Sequence, residues 1–239
     1  MQFHKSRRNG FTLTELLVVI VIIAALSSLV FMMGSRALKK ADGVRSISNM
    51  RQIGTMLGAY ASDNSNRLPA PRADIPLPNG SFQQLHWFET LVQLTDSSLE
   101  PKDWQSIEWW RNTEPILRNP IIDGTPGPAK DNWWNPGYAF NRQMIVNIAP
   151  EGMSRSWAPG ENGPQSYAIP LAKIRDPSRT PIIAPRKQWH FTFKPSELKD
   201  PNLEPFKIDG KLNVLFVDGH IEAIRPDEYT QRKLHEMPR

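Results

Sequence analysis

Glu15 is the ionisable side chain whose position most needs a chemical explanation. It immediately precedes an apolar run, Leu16 to Met33, which contains no charged residue and only two polar ones, Ser27 and Ser28. A carboxylate in apolar surroundings costs a few kcal/mol unless a partner neutralises it. The chemistry that the sequence suggests for this region is therefore the pairing of charges.

Side chains that could perform catalysis are few, and most have a structural explanation. The motifs GxSxG, HExxH, GxxxxGK[ST] and GxGxxG are absent from the sequence. His190, Asp218 and His220 could be assembled into a site, but a strand pattern accounts for His190 and a turn for Asp218. The absence of cysteine excludes a disulfide scaffold, a cysteine-ligated zinc site and a cysteine nucleophile. We predict no catalytic residue, no cofactor and no enzymatic activity.

The apolar run is long enough to cross a membrane. Its eighteen residues would extend about 27 Å as a helix, close to the roughly 30 Å hydrocarbon core of a bilayer. The leader before it, MQFHKSRRNG, is basic and has no acidic residue. A secretory signal peptide cut at Ala25-Leu26-Ser27 is one explanation, although the apolar run continues past that site. A plain anchor is the second explanation, but it leaves Glu15 without a partner.

The sequence Gly10-Phe11-Thr12-Leu13-Thr14-Glu15 resembles the processing site of type IV prepilins and type II secretion pseudopilins. The resemblance implies cleavage after Gly10, methylation of the new N-terminus at Phe11, and a role in assembly for Glu15. Cleavage there would create a positive α-amine on Phe11, which could neutralise Glu15 of a neighbouring subunit. The implied partners are the prepilin peptidase/methyltransferase, other pilin or pseudopilin subunits, and the inner membrane.

Charge alone does not orient the predicted membrane segment. Basic residues flank it on both sides: Lys5, Arg7 and Arg8 before it, and Arg36, Lys39, Lys40 and Arg45 after it. The resemblance implies a single-pass protein of the cell inner membrane, with the N-terminus cytoplasmic and the head outside the cytoplasm. A periplasmic or surface filament would be its later location. The net charge is +5, or +2 without the leader (5 − 3), which is too small to predict a nucleic-acid partner.

Proline separates a long predicted helix from a loop-rich head, since none of the 22 prolines precedes Pro69. The predicted parts are a leader at 1–10, a helix at 11–64 with its transmembrane part at about 11–33, a globular head at 65–225, and a tail at 226–239. An apolar stripe is clear from about residue 50: Met50, Ile53, Leu57, Tyr60 and Ala61. Residues 36–48 lack such a stripe, so we expect them to be exposed or to face neighbouring subunits. Four glycines could allow bending or close approach: Gly34, Gly43, Gly54 and Gly58.

The head is predicted to be α+β, with a small antiparallel sheet packed on residues 50–63 of the long helix. Four candidate strands follow from the pattern: Pro181–Ala184, Gln188–Phe193, Leu212–Val217 and His220–Ile224. Leu212–Val217 is apolar on both faces, which indicates a central buried strand. Asp218-Gly219 predicts a hairpin with a two-residue type I′ turn. A capping box at Ser81–Gln84 predicts a short helix that includes Phe82, Leu85, Phe88, Leu91 and Leu94.

Five of the eight tryptophans lie between residues 100 and 135. Exposed, they would form a platform suited to sugar rings. Buried, they would cover a small, loop-rich core, which is the interpretation that we prefer.

The segment NVLFVDGHIEAI resembles the C-terminal signature of pilin-like proteins common in planctomycete-type bacteria. In that group a histidine stands ten residues before the aspartate of the DG turn, but here Ile208 occupies that position. Major pseudopilins bind calcium through a C-terminal loop, and Asp209 and Asp218 could supply oxygen ligands here. Their spacing matches no recognisable loop, so the metal stays undetermined.

The function that follows is that of a structural subunit, a prepilin or pseudopilin of a type II secretion or type IV pilus-like filament. It would assemble through its N-terminal helix. The alternatives are a minor pilin or adhesin whose tryptophan-rich head binds glycan, and an anchored exported enzyme.

Overall fold

The structure is a computed structural model that describes residues 12–76, 82–95, 115–121, 137–144, 168–186, 190–191 and 200–232. The chain divides into two compact units, residues 1–41 and residues 42–239. Helix α1, Leu13–Asp63, begins in the first unit and ends in the second.

In the first unit, every side chain that the structure describes is exposed. The stretch Leu13–Phe31 has a mean hydropathy of 2.6, and none of it is buried. These 19 residues are long and apolar enough to cross a membrane. The apolar helix predicted from the sequence is therefore present.

In the second unit, α1 buries one face. Met50, Ile53, Leu57 and Ala61 are at most 3% exposed, and Tyr60 is half-buried, which confirms the predicted stripe. This regular spacing of three and four residues gives the helix an apolar face that packs on the head.

The buried face of α1 begins earlier than predicted. Gly43 and Ser46 are buried in the second unit, so the expectation that residues 36–48 are exposed or face neighbouring subunits is wrong at these two positions. Neither side chain is large and apolar, and a search for a hydrophobic stripe overlooks such residues.

The helix ends where the sequence predicted. Ser65 and Asn66 both have a φ of 56°, the left-handed conformation that terminates helices. The N–H of Asn66 donates to the carbonyl of Ala61 at 2.8 Å and satisfies one of the last carbonyls of α1.

The described strands are β1 Arg67–Leu68, β2 Arg72–Pro76, β3 Phe82–His86, β4 Tyr138–Asn141, β5 Ile169–Pro170, β6 Pro181–Pro185, β7 His190–Phe191, β8 Leu212–Phe216 and β9 Ile221–Ile224. The further helices are α2 Trp87–Thr95 and α3 Pro226–Gln231, with short 3₁₀ turns at Pro115–Leu117, Leu171–Lys173, Pro177–Arg179 and Pro201–Phe206. Five strands form the main sheet in the order β7-β4-β6-β8-β9. Its pairs are antiparallel except the parallel pair β4–β7. The strand pairs β1–β5 and β2–β3 form two smaller antiparallel sheets. Together with α1, these sheets give the predicted α+β, pilin-like class.

The central strand of the main sheet, β8, is buried on both faces. All five residues of β8 are buried, which confirms the prediction of a central strand. Leu215 packs in one core cluster with the buried stripe of α1 and with α2. Leu212, Val214 and Phe216 pack in a second cluster with Phe206 and with Tyr229 of α3. Alternate residues of β8 thus pack in two different core clusters.

Helix α2 begins later than the sequence suggested. Residues Phe82–His86 form β3, which pairs with β2 over five residues, and the helix starts at Trp87. The carboxylate that caps this helix belongs to Glu89, which accepts a bond from the backbone N–H of His86. The predicted capping box at Ser81–Gln84 is wrong because strand pairing overrides the local helical pattern.

Candidate processing and assembly site

Gly10 and Phe11, the predicted cleavage and methylation positions, lie outside the residues that the structure describes. The description of the candidate site therefore starts at Thr12, one residue before α1. Glu15, the third predicted site residue, is exposed in the first turn of the helix.

Thr12 and Glu15 form a capping box. The backbone N–H and the hydroxyl of Thr12 donate to Glu15 Oε2 at 2.8 Å and 2.7 Å. In return, the backbone N–H of Glu15 donates to the hydroxyl oxygen of Thr12 at 3.3 Å. The pattern Thr-x-x-Glu before an apolar run is a recognised sequence signal for such a box, so sequence reasoning missed a contact that it could have found.

The capping box orients the carboxylate without using all of it. Both bonds from Thr12 end on Oε2, and Oε1 accepts no bond from any residue in the described part of the chain. The first turn of a helix also carries unpaired N–H groups and the positive end of the helix dipole, which favour an anion there. The geometry therefore leaves one carboxylate oxygen of Glu15 available to an incoming ammonium group.

The helix beyond Glu15 exposes a continuous apolar surface. Leu16 is 59% exposed, Val30 69% and Phe31 82%. Ser28, a polar residue of this stretch, donates its hydroxyl to the carbonyl of Ala25 at 2.8 Å. Its polar group is thus bonded within the helix, which lowers the cost of an apolar environment. An apolar surface of this extent requires lipid or other apolar helices around it.

Asp218 and Gly219 lie in the turn between β8 and β9, but the turn is not the predicted type I′. Gly219 has a φ of +92°, whereas Asp218 has no positive φ. The N–H of Phe216 donates to the carbonyl of His220 at 2.9 Å, and that of Gly219 donates to the carbonyl of Phe216 at 3.0 Å. These bonds enclose a three-residue loop, Val217 to Gly219, that ends in a left-handed glycine. The register Leu215↔Ile221 leaves one residue too many for a two-residue turn.

The side chains of this hairpin turn support one another. Asp218 Oδ1 accepts a bond from the backbone N–H of His220 at 3.2 Å and lies 2.6 Å from its Nδ1. The His220 ring stacks on Phe216 with centroids 4.3 Å apart and planes within 7°. The aspartate and histidine therefore have structural partners that fix the loop.

A type I′ turn does occur at the other Asp-Gly pair, Asp209-Gly210, which the sequence analysis did not single out as a turn. The φ angles are 50° and 75°, and Ile208 and Lys211 exchange two backbone bonds of 2.9 and 3.0 Å. Ile208, which replaces the histidine of the resembled group, precedes this turn.

The remaining candidates do not form a catalytic or metal-binding cluster in the described residues. No group of three or more histidine, aspartate or glutamate side chains in the described part of the chain could hold a metal ion. His190 belongs to β7 and His220 precedes β9, at opposite edges of the main sheet. The tryptophans of residues 100–135 lie outside the described residues, so the proposed glycan platform stays untested.

Comparison with known proteins identifies the N-terminal part of the chain. Residues 5–31 match the family described as the prokaryotic N-terminal methylation motif. The type II secretion system core protein G of Aeromonas hydrophila is 43% identical over 67 residues, which are 27% of this chain and 45% of that protein. The protein of the same name from Pectobacterium carotovorum subsp. carotovorum is 42% identical over 66 residues, 27% of this chain and 40% of its own. The one from Dickeya chrysanthemi is 43% identical over 61 residues, 25% of this chain and 39% of its own. The chain thus spans less than half the length of these curated relatives, and no solved structure matches it.

Proposed function

We propose that this chain, which has the prepilin-type N-terminus of a pseudopilin, is a structural subunit of a type II secretion or type IV pilus-like filament. It is processed after Gly10, N-methylated at Phe11 and assembled through α1. The observation that carries the proposal is that the family match and the exposed apolar stretch cover the same residues. The methylation motif at residues 5–31 covers the exposed apolar stretch Leu13–Phe31, with Glu15 in its first turn.

The exposed apolar stretch supports a role in assembly. An all-round apolar helix has two favourable environments, a bilayer and a bundle of similar helices. Before assembly the stretch lies in the inner membrane as a single span, and afterwards it lies among the helices of other subunits. In the membrane stage the N-terminus is cytoplasmic and the head lies outside the cytoplasm. The later location is a periplasmic or surface filament.

The geometry at Glu15 supports a pairing role in that step. Thr12 holds Oε2 in place, and Oε1 faces no described donor. Cleavage after Gly10 converts the amide nitrogen of Phe11 into a charged amine. This amine of one subunit pairs with Glu15 of the next. A carboxylate that is unfavourable alone in apolar surroundings then sets the register between neighbouring subunits.

The partners of the chain are the prepilin peptidase/methyltransferase and other pilin or pseudopilin subunits. A structural role of the head fits the contacts of several of its described acidic residues, which take part in a helix cap, a turn and an ion pair. Glu89 caps α2, Asp218 fixes a hairpin, and Glu222 binds Arg232 through two hydrogen bonds of 2.6 and 3.0 Å.

Mass spectrometry of the native N-terminus tests the processing step. We expect a chain that begins at methylated Phe11. A chain that begins at Ser28 would indicate a cleaved signal peptide, and an intact Met1 would indicate a plain anchor. Either of these results would refute the proposal.

Variants at the capping box separate helix capping from charge pairing. Glu15→Gln keeps an oxygen that can accept from Thr12 but removes the charge, while Thr12→Ser keeps the hydroxyl and serves as the matched control. We expect Glu15→Gln and Glu15→Ala to insert into the membrane normally and to reduce filament yield about tenfold or more, the effect of losing about 1.4 kcal/mol per contact. Thr12→Ser should assemble like the wild type. Normal filaments from both Glu15 variants would exclude the pairing role.

A further inference from the structure

Gly43 is the first buried residue of α1 in the second unit, and it meets Ile208 at very short range. A Cβ atom on residue 43 would overlap Ile208 Cδ1 and lie 3.2 Å from its Cγ1. The isoleucine therefore occupies the space that a side chain on residue 43 would need. Glycine at this position lets the isoleucine approach the helix backbone closely.

A rigid turn holds Ile208 against the helix. Asp209 and Gly210 both have positive φ, and Ile208 pairs with Lys211 through two backbone hydrogen bonds. Strand β8 begins at the next residue, Leu212, and is buried along its full length. The position of Ile208 is thus fixed by the central strand of the sheet.

Polar contacts follow on the next turn of α1. The hydroxyl of Tyr138 donates to the carbonyl and the hydroxyl oxygen of Ser46 at 3.4 and 3.3 Å. The amide of Asn49 donates to the carbonyl of Arg118 at 2.9 Å. These contacts recur every three residues after Gly43, so they continue the same helix face.

We infer that the contact between Ile208 and Gly43 fixes the residue at which α1 begins to pack on the head. We call this contact the clasp. Ser46 and Asn49 contribute polar contacts and Ile47 packs on the core while still partly exposed, whereas fully buried apolar side chains of α1 begin at Met50. Without Ile208, residues 43–49, about 10 Å of helix, pack less firmly on the head. The clasp concerns the fold of the subunit and does not depend on the proposed filament.

Hydrogen exchange on the full chain in detergent micelles tests the clasp. We expect Ile208→Ala to speed amide exchange at residues 43–49 about tenfold and to leave the amides of β8 unchanged. Ile208→Val, which lacks only Cδ1, should give a smaller increase and keeps the fold. Ile221→Ala, at another half-buried isoleucine, is the matched control and should leave residues 43–49 unchanged. Equal exchange in the Ile208 variants and the wild type, or an equal increase in Ile221→Ala, would overturn the inference.

A double variant gives a second, independent readout. Gly43→Ala alone should speed exchange at residues 43–49, because its Cβ displaces Ile208. When Ile208→Ala is added, the space is vacated and alanine is also the better helix former. The double variant should therefore exchange more slowly at these residues than either single variant. Simple additivity of the two changes would show that the residues do not act as a clasp.

Discussion

Replacing Tyr138 by phenylalanine is expected to change the stability of the head in opposite directions at neutral and at high pH. The side chain is fully buried, and its hydroxyl donates to Ser46 of α1. Burial raises the pKa of Tyr138 from 10.0 to about 12, although side-chain hydrogen bonds with Ser46 and Asn49 act in the opposite direction.

At pH 8 the variant loses the hydrogen bonds to Ser46, and the buried hydroxyl of Ser46 loses the tyrosine as its partner. The expected loss in the free energy of unfolding is about 1 kcal/mol. At high pH the sign reverses. The folded wild type holds the Tyr138 proton more tightly than the unfolded chain does. This contribution to stability is therefore complete below pH 10 and is lost as the pH rises through about 12.

The loss at high pH is the larger of the two effects. A pKa that is higher by about 2 in the folded state than in the unfolded state corresponds to about 3 kcal/mol, of which about 2 kcal/mol is lost by pH 12. Phenylalanine has no such proton. Tyr138→Phe should therefore be about 1 kcal/mol less stable than the wild type at pH 8 and about 1 kcal/mol more stable near pH 12.

The assay is urea unfolding of the full chain in detergent micelles between pH 8 and pH 12, followed by tryptophan fluorescence. Trp87 is fully buried in the head core and would report its exposure. Tyr60→Phe is a suitable comparison because burial also raises the pKa of this tyrosine, which is only half-buried. A stability difference between Tyr138→Phe and the wild type that stays constant from pH 8 to pH 12 would refute the reasoning.

Two further substitutions test the packing of the head by the same unfolding measurement. Gly54→Leu should be about 1 to 3 kcal/mol less stable than Gly58→Leu, because a Cβ at residue 54 would lie 3.3 Å from Leu215 Cδ1 whereas a Cβ at residue 58 would meet nothing within 4 Å. Equal stability of the two leucine variants would contradict close packing at Gly54. Glu89→Ala should cost about 3 kcal/mol, because it removes the partner that lies 3.0 Å from His86 Nδ1 with both side chains at most 4% exposed. A loss below about 1 kcal/mol would mean that this buried pair contributes little.

Features with a strong local pattern could be predicted from the sequence. The stripe from Met50 to Ala61 and the buried strand Leu212–Phe216 are both set by the periodicity of apolar residues, and both are present. The end of α1 has a different local signal, since Asn66 tolerates the left-handed conformation that stops a helix. In each case the signal and the structure involve neighbouring residues only.

Features that depend on distant residues were missed. Burial of Gly43 depends on Ile208, which is far away in sequence, and a glycine carries no hydrophobic signal. The two Asp-Gly pairs show the same limit. Both fit a turn that needs a left-handed glycine, but only the pairing register decides between the two-residue turn at Asp209 and the three-residue loop at Asp218.

The two parts of α1 face different physical requirements, and this difference bears on how the chain assembles. Residues 50–61 bury one face in the core of their own chain. The stretch Leu13–Phe31 exposes apolar side chains all round, and no described residue of the chain covers it. Water is therefore an unfavourable environment for this stretch throughout the life of the subunit. Under the proposed function, the stretch can leave the bilayer only if neighbouring apolar helices replace lipid at once, so extraction and assembly would be coupled. Glu15 would fit such a coupled step because Thr12 already orients its carboxylate.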